Sequence, residues 1–209
     1  MTYTEVIDTV NNELKLCYPK IEEMGRKFAS MVKKTRNYPL VWKTTFSSRH
    51  KTTFHVMWVA GKRNDWDKPK FYIFVPFHRL DGINVAFLSQ KREATMIFTR
   101  HFFERYKERF LDDEESSTTE IIQEFFLNNR NILARRATRN FVKEFDKYEE
   151  ILKGDPIVVV INDGYCFGEK INGRVMLIRT IIREDMLRPG QKEAFSRMKN
   201  IFDRYDDIS

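Results

Sequence analysis

"IVVVINDGYCFGEKINGRVMLIRTII", residues 157–182, decides the fold. Its apolar, β-branched segments are punctuated by Asp163-Gly164 and Asn172-Gly173, dipeptides that favour tight turns. The stretch therefore reads as strand segments joined by turns, and Asn172-Gly173 is the strongest hairpin signal in the chain. Towards the N-terminus, "VWKTTF", "TTFHVMWVAG", "KFYIFVPFHR" and "INVAFLSQ" share the same β-branched and aromatic character. They are separated by "SSRHK", "GKRNDWDKPK" and "RLDG", where Asp81-Gly82 suits a positive φ, so residues 41–90 predict three or four antiparallel strands.

Helical spacing brackets these strands. "TEVIDTVNNELKL" places Val6, Ile7, Val10 and Leu14 on one face with Thr4 as its cap, and Pro19 is expected to break or restart the helix. "KIEEMGRKFASMVKK" continues through Ile21, Met24, Phe28 and Met31 to a stop at Asn37 and Pro39. Thr99 opens a helix running to about Leu111, "TEIIQEFFLNNRNILARRATRNFVKEF" returns to helix, and "QKEAFSRMKNIFDRYDD" closes the chain as an amphipathic helix. Helices, strands, helices and a late hairpin make an α+β protein rather than a regular βαβ alternation. The expected architecture is a twisted antiparallel sheet with helices packed mainly on one face. Residues 1–36 form an N-terminal helical region packed on a body of residues 37–209.

Composition narrows the function. A chain of 209 residues with 42% hydrophobic and 14% aromatic residues can bury a core, which excludes a disordered tail. The net charge of +7 permits a polyanionic partner without demanding one, since 30 acidic residues are mixed in. Cys17 and Cys166 show no CxxC spacing, and His50, His55 and His78 fall in separate segments, so neither a metal nor a cofactor is expected. The start "MTYTEVIDTVNNELKL" is acidic where a signal peptide would be basic, and no apolar run approaches the ~18 residues of a membrane span. The expected location is the cytoplasm, with no membrane partner.

Within "MIFTRHFFERYKERF", residues 96–110, His101, Arg105 and Arg109 recur in steps of four and share one sector of a helix. Phe102, Phe103, Tyr106 and Phe110 line the neighbouring sector and would anchor that helix on a sheet. A histidine titrating near neutrality beside two guanidinium groups suits acid/base chemistry at a phosphate. The plain alternative is an ordinary amphipathic helix in which Arg105 pairs with Glu108 or Glu104 and His101 caps or satisfies a nearby polar group.

"FTRHFFERYKERFLDDEESSTTEIIQEFF", followed by "VMLIRTII", resembles a family of small bacterial domains of uncharacterised function, which look similar to the colicin- and RelE-like ribonuclease toxins. The resemblance covers about residues 96–183 and implies metal-independent cleavage of RNA by its own 2′-hydroxyl. Carried over by position, it implies His101 as the acid/base group and Arg105 as the phosphate clamp, with Arg179 and Thr180 completing the site. Arg109 would stabilise charge on the phosphate. An inhibitor protein is a conceivable partner for such a toxin. Successive strand residues alternate faces, so Arg179 and Thr180 join one pocket only at a bulge or strand end, whereas Arg179 and Arg183 share a face.

Arg135, Arg139 and Lys143, with Arg136 beside them, read as a basic stripe on one helix face, suited to tracking a phosphate backbone. Trp42, Trp58 and Trp66, with Phe71, Tyr72 and Phe74, either stack bases or fill the core. Asp163 and Asp155 read as turn residues. The preferred expectation is a ribonuclease using His101; its rival is a non-catalytic nucleic-acid- or protein-binding, regulatory protein.

Overall fold

A 32-residue helix, α1 (Tyr3–Lys34), opens the chain. Thr2, not Thr4, caps it: Glu5 N donates to Thr2 Oγ1 at 3.3 Å and Thr2 N donates to Glu5 Oε2 at 2.6 Å. Pro19 lies inside the helix and does not end it. An internal proline costs about 3 kcal/mol. Here its ring faces solvent while Leu14, Ile21, Met24, Phe28 and Val32 keep one buried face on either side of it. Their combined burial outweighs the lost hydrogen bond.

The computed structural model describes residues 1–88, 95–111, 115–129, 132–137 and 155–206. It divides into two compact units, Met1–Met96 and Ile97–Ser209. Helix α1 and its buried face belong to the first unit.

In the first unit β1 (Leu40–Ser47), β2 (Thr53–Ala60), β3 (Lys70–Arg79) and β4 (Gly82–Leu88) form an antiparallel meander. Gly82 takes φ 116°, the conformation expected of the Asp81-Gly82 turn. Register places Trp42, Trp58 and Phe71 side by side on one face. Phe28 of α1 lies over that row, 6.3 Å from Trp42 and 6.0 Å from Trp58 between ring centroids.

The second unit holds α2 (Arg100–Phe110), α3 (Thr118–Asn128) and α4 (Pro189–Asp206). Its strands are the end of β5 (Thr95–Phe98) from Ile97 on, β6 (Leu133–Arg136), β7 (Asp155–Val160), β8 (Gly164–Lys170) and β9 (Val175–Arg183), in the order β5-β9-β8-β7-β6. The pairings β6–β7, β7–β8 and β8–β9 are antiparallel. The protein is α+β.

Phe195 of α4 packs with Val158, Val160, Tyr165, Phe167 and Ile182. The alternate positions Val159, Cys166 and Ile181 are equally buried, so both faces of this sheet are covered. Strands covered on both sides read as continuous apolar runs, and "IVVVI" is one.

The β8–β9 hairpin exists, but its glycine is not the residue that shapes it. Gly173 does not adopt the left-handed region. The side chain of Asn172 makes the turn, its Oδ1 accepting from Arg174 N at 2.8 Å and Val175 N at 3.0 Å. Asn172→Ala is expected to lower stability by about 1–2 kcal/mol in urea unfolding, through loss of both bonds.

Candidate functional site

Helix α2 begins at Thr99, whose Oγ1 accepts from Phe102 N at 3.3 Å. Thr99 N donates to Ile178 O at 3.0 Å, tying the helix start to β9. Phe102, Phe103 and Tyr106 are buried, as the aromatic spacing predicts. His101 lies on the opposite side, its side chain 57% exposed, with Nδ1 3.7 Å from Glu104 Oε2. Glu104 also accepts from Arg100 Nε at 2.6 Å.

The arginines expected to serve His101 have other partners. Arg105 Nη1 donates to Glu108 Oε2 at 2.6 Å. Arg109 Nη1 donates to the Ile181 carbonyl of β9, and Arg183 Nη1 returns a bond to Arg109 O at 3.1 Å. Arg179 donates from Nε at 2.8 Å and also from Nη2 to Glu169 Oε1. Glu169 is 4% exposed, so this pair satisfies a buried carboxylate.

Between Phe167↔Thr180 and Gly168↔Ile178 the register slips by one, leaving Arg179 as the extra residue of a bulge. Strict alternation through Arg179 and Arg183 therefore fails. Thr180 is buried, and both arginines are in ion pairs, Arg183 with Asp185 at 2.7 Å. Each of the four arginines is thus engaged by a partner other than a neighbour of His101's imidazole.

The basic stripe needs correction. Residues 133–136 form a strand, so Arg135 and Arg136 stand on alternate sides of β6 and share no helix face. Arg136 Nη2 pairs with Asp155 Oδ1 at 3.1 Å on the surface. The helix that begins at Thr118 ends at Asn128, where Asn129 adopts φ −111°, ψ 63°. Arg139 and Lys143 lie outside the described residues.

A polar lock escaped the reading of sequence. The Asp163 carboxylate accepts from Tyr106 Oη at 3.2 Å and Asn129 Nδ2 at 2.7 Å, while Asp163 N donates to Asn129 Oδ1 at 3.0 Å. Asn128 Nδ2 reaches Tyr106 Oη at 3.4 Å. The lock joins α2, the C-cap of α3 and the β7–β8 turn. Burial, with Asp163 adjacent, raises the Tyr106 hydroxyl well above its ordinary range. Burial likewise raises the Cys166 thiol, with Asp163 adding to it. Both groups stay protonated, so neither is an activated nucleophile. Iodoacetamide at pH 8 is expected to leave Cys166 unlabelled until the protein is unfolded, whatever happens at the half-buried Cys17; labelling located at Cys166 in the native protein by peptide mass spectrometry would contradict this.

In the first unit, a cleft of about 750 Å³ is lined by α1, β2, β3 and the loop between the two strands. Glu22, Gly25, Arg26, Ser30 and Lys33 come from α1 at helical spacing. Trp58 and Phe71 form its wall, with ring centroids 4.7 Å apart. Gly25 allows this: a Cβ there would meet Trp58 Cη2 at 2.9 Å. A 3₁₀ turn at Arg63–Trp66 carries the rim, fixed by Asp65 Oδ2, which accepts from Gly61 N at 2.7 Å and Lys62 N at 3.1 Å. Trp66 is 42% exposed, and Lys33 Nζ lies 3.6 Å from its ring centroid.

Arg26 and Lys68 line the cleft without an ion pair among the described residues; Glu22 and Asp67 add two carboxylates. The indole N–H of Trp58, a cleft residue, is buried and finds no hydrogen-bond partner among the described residues. Of the aromatic residues singled out in the sequence, Trp58, Trp66 and Phe71 meet here, Trp42 stacks on Phe28, and Tyr72 and Phe74 alternate to the other face. Arg26, Lys33 and Lys68 had no signal in sequence, because only the fold brings α1 beside the β2–β3 loop.

No family model, curated protein or solved structure matches the chain. Among the described residues, no group of three His, Cys, Asp or Glu side chains could hold a metal ion, and no helix is long and apolar enough to cross a membrane.

Proposed function

We propose that the protein binds single-stranded nucleic acid, RNA being the intended class, without cleaving it, and that the first-unit cleft takes the strand. One observation carries this reading: stacking faces and cations line the same cavity at Trp58, Trp66, Phe71, Arg26, Lys33 and Lys68. Proteins that hold single strands combine such faces for the bases with cations for the backbone. The net charge of +7 favours the same partner.

The ribonuclease reading draws less support. His101 is exposed and carries a carboxylate neighbour, but Arg105 and Arg109 are engaged by Glu108 and by the Ile181 carbonyl. Holding a phosphate beside the imidazole would require breaking one of these contacts first.

Anisotropy of a labelled RNA oligonucleotide in EDTA, followed by electrophoresis, tests the proposal. Intact RNA and saturable binding are expected, with affinity unchanged in His101→Ala and reduced by about 1–3 kcal/mol in Trp66→Ala, the usual worth of one stacked base. RNA cleavage that disappears in His101→Ala would return the ribonuclease reading.

A further inference from the structure

Resting on the cleft as the binding site, we propose that Lys33 is a latch over Trp66 that makes the cleft select phosphorylated nucleotides over neutral nucleosides. The Lys33 ammonium lies over the Trp66 ring, 3.6 Å from its centre, and both side chains line the cleft, so the lysine occupies the face that a base stacking on Trp66 from the cleft needs. A base alone must displace that cation and leave it with water. A nucleotide brings its own anion, so the displaced ammonium exchanges a π face for a phosphate oxygen, a stronger charge-assisted partner.

Two further features fit a nucleotide rather than a free anion. Arg26 and Lys68 line the same cavity and make no ion pair among the described residues, so both can join Lys33 on a phosphate. Glu22 and Asp67 oppose a ligand that is only anionic, yet they can accept from the amino edge of a base. Stacking surface, cations and carboxylates together match a ring with donor groups and a phosphate. Inorganic phosphate or a nucleoside satisfies only part of that set.

Titration calorimetry with adenosine 5′-monophosphate, adenosine and inorganic phosphate tests the latch on the full chain. In the unaltered protein the monophosphate should bind at least tenfold more tightly than adenosine, and inorganic phosphate should bind more weakly than the monophosphate. Lys33→Met keeps the stem and removes the charge, and Lys33 is exposed, so folding should persist by circular dichroism. That variant should lose about tenfold for the monophosphate while gaining about two- to fivefold for adenosine. Opposite signs are the signature, since a merely structural lysine would move both ligands the same way.

Equal affinity for the two ligands, or parallel losses in Lys33→Met, would overturn the latch. So would single-stranded RNA binding that depends on Trp66 with no mononucleotide bound, although the cleft reading would then stand. RNA binding indifferent to Trp66→Ala would remove both.

Discussion

Gly168→Ala is expected to destabilise the second unit by about 3–4 kcal/mol, near the upper end for a single substitution. A Cβ on Gly168 would sit 2.0 Å from Leu177 O, 2.9 Å from the Leu177 carbonyl carbon and 3.0 Å from Ile178 Cα. These are backbone atoms of the neighbouring strand and cannot rotate away. The bulge at Arg179 draws the β9 backbone over β8 at this point, so relief means separating paired strands. Gly173→Ala is the control: its Cβ would meet nothing within 4 Å, and its backbone lies outside the left-handed region. Its expected effect is within about 0.5 kcal/mol. Urea unfolding followed by far-UV circular dichroism measures both, and equal midpoints for the two variants would contradict the close approach.

Phe125→Ala is expected to lower stability by about 3–5 kcal/mol, the range for emptying an aromatic site in a packed core. The ring is fully buried, with centroids 5.2 Å from Phe98, 5.0 Å from Phe102, 5.1 Å from Tyr106 and 5.0 Å from Phe126. It therefore joins α3 to both β5 and α2. Most of these contacts are edge-on, so no neighbouring ring can slide into the space without losing its own partner. Phe125→Leu, which leaves a smaller void, should lose roughly half as much. A loss below about 1 kcal/mol for the alanine variant in the same unfolding measurement would mean that this cluster does not hold the unit together.

The α+β class was legible because it rests on local signals. Strand composition, the Asp81-Gly82 turn and the aromatic sector of "RHFFERYKERF" each depend on residues close in sequence. Misreadings arose where tertiary burial overrode a local preference. Pro19 predicts a helix break, yet its solvent-facing ring is tolerated between two buried halves of one face. The helical pattern after Ile121 continues into "LARR", but residues 133–136 pair with β7 as a strand.

The site was less legible for another reason. Sequence spacing shows which side chains share a helix face, not which carbonyl or carboxylate will claim them. Arg105 and Arg109 follow the spacing and are then taken by Glu108 and the Ile181 carbonyl. Conversely, Arg26 and Lys33 share a face of α1, but no spacing links them to Trp58 or Lys68. They converge only because α1 crosses the sheet where Gly25 admits Trp58.

Tryptophan emission during titration with single-stranded RNA, at constant salt and in EDTA, tests the cleft most directly, since Trp58 and Trp66 line it. The account predicts a saturable change in emission that follows the binding curve and is largely lost in Trp66→Phe. Saturable binding with emission unaltered throughout would place the RNA elsewhere and contradict it.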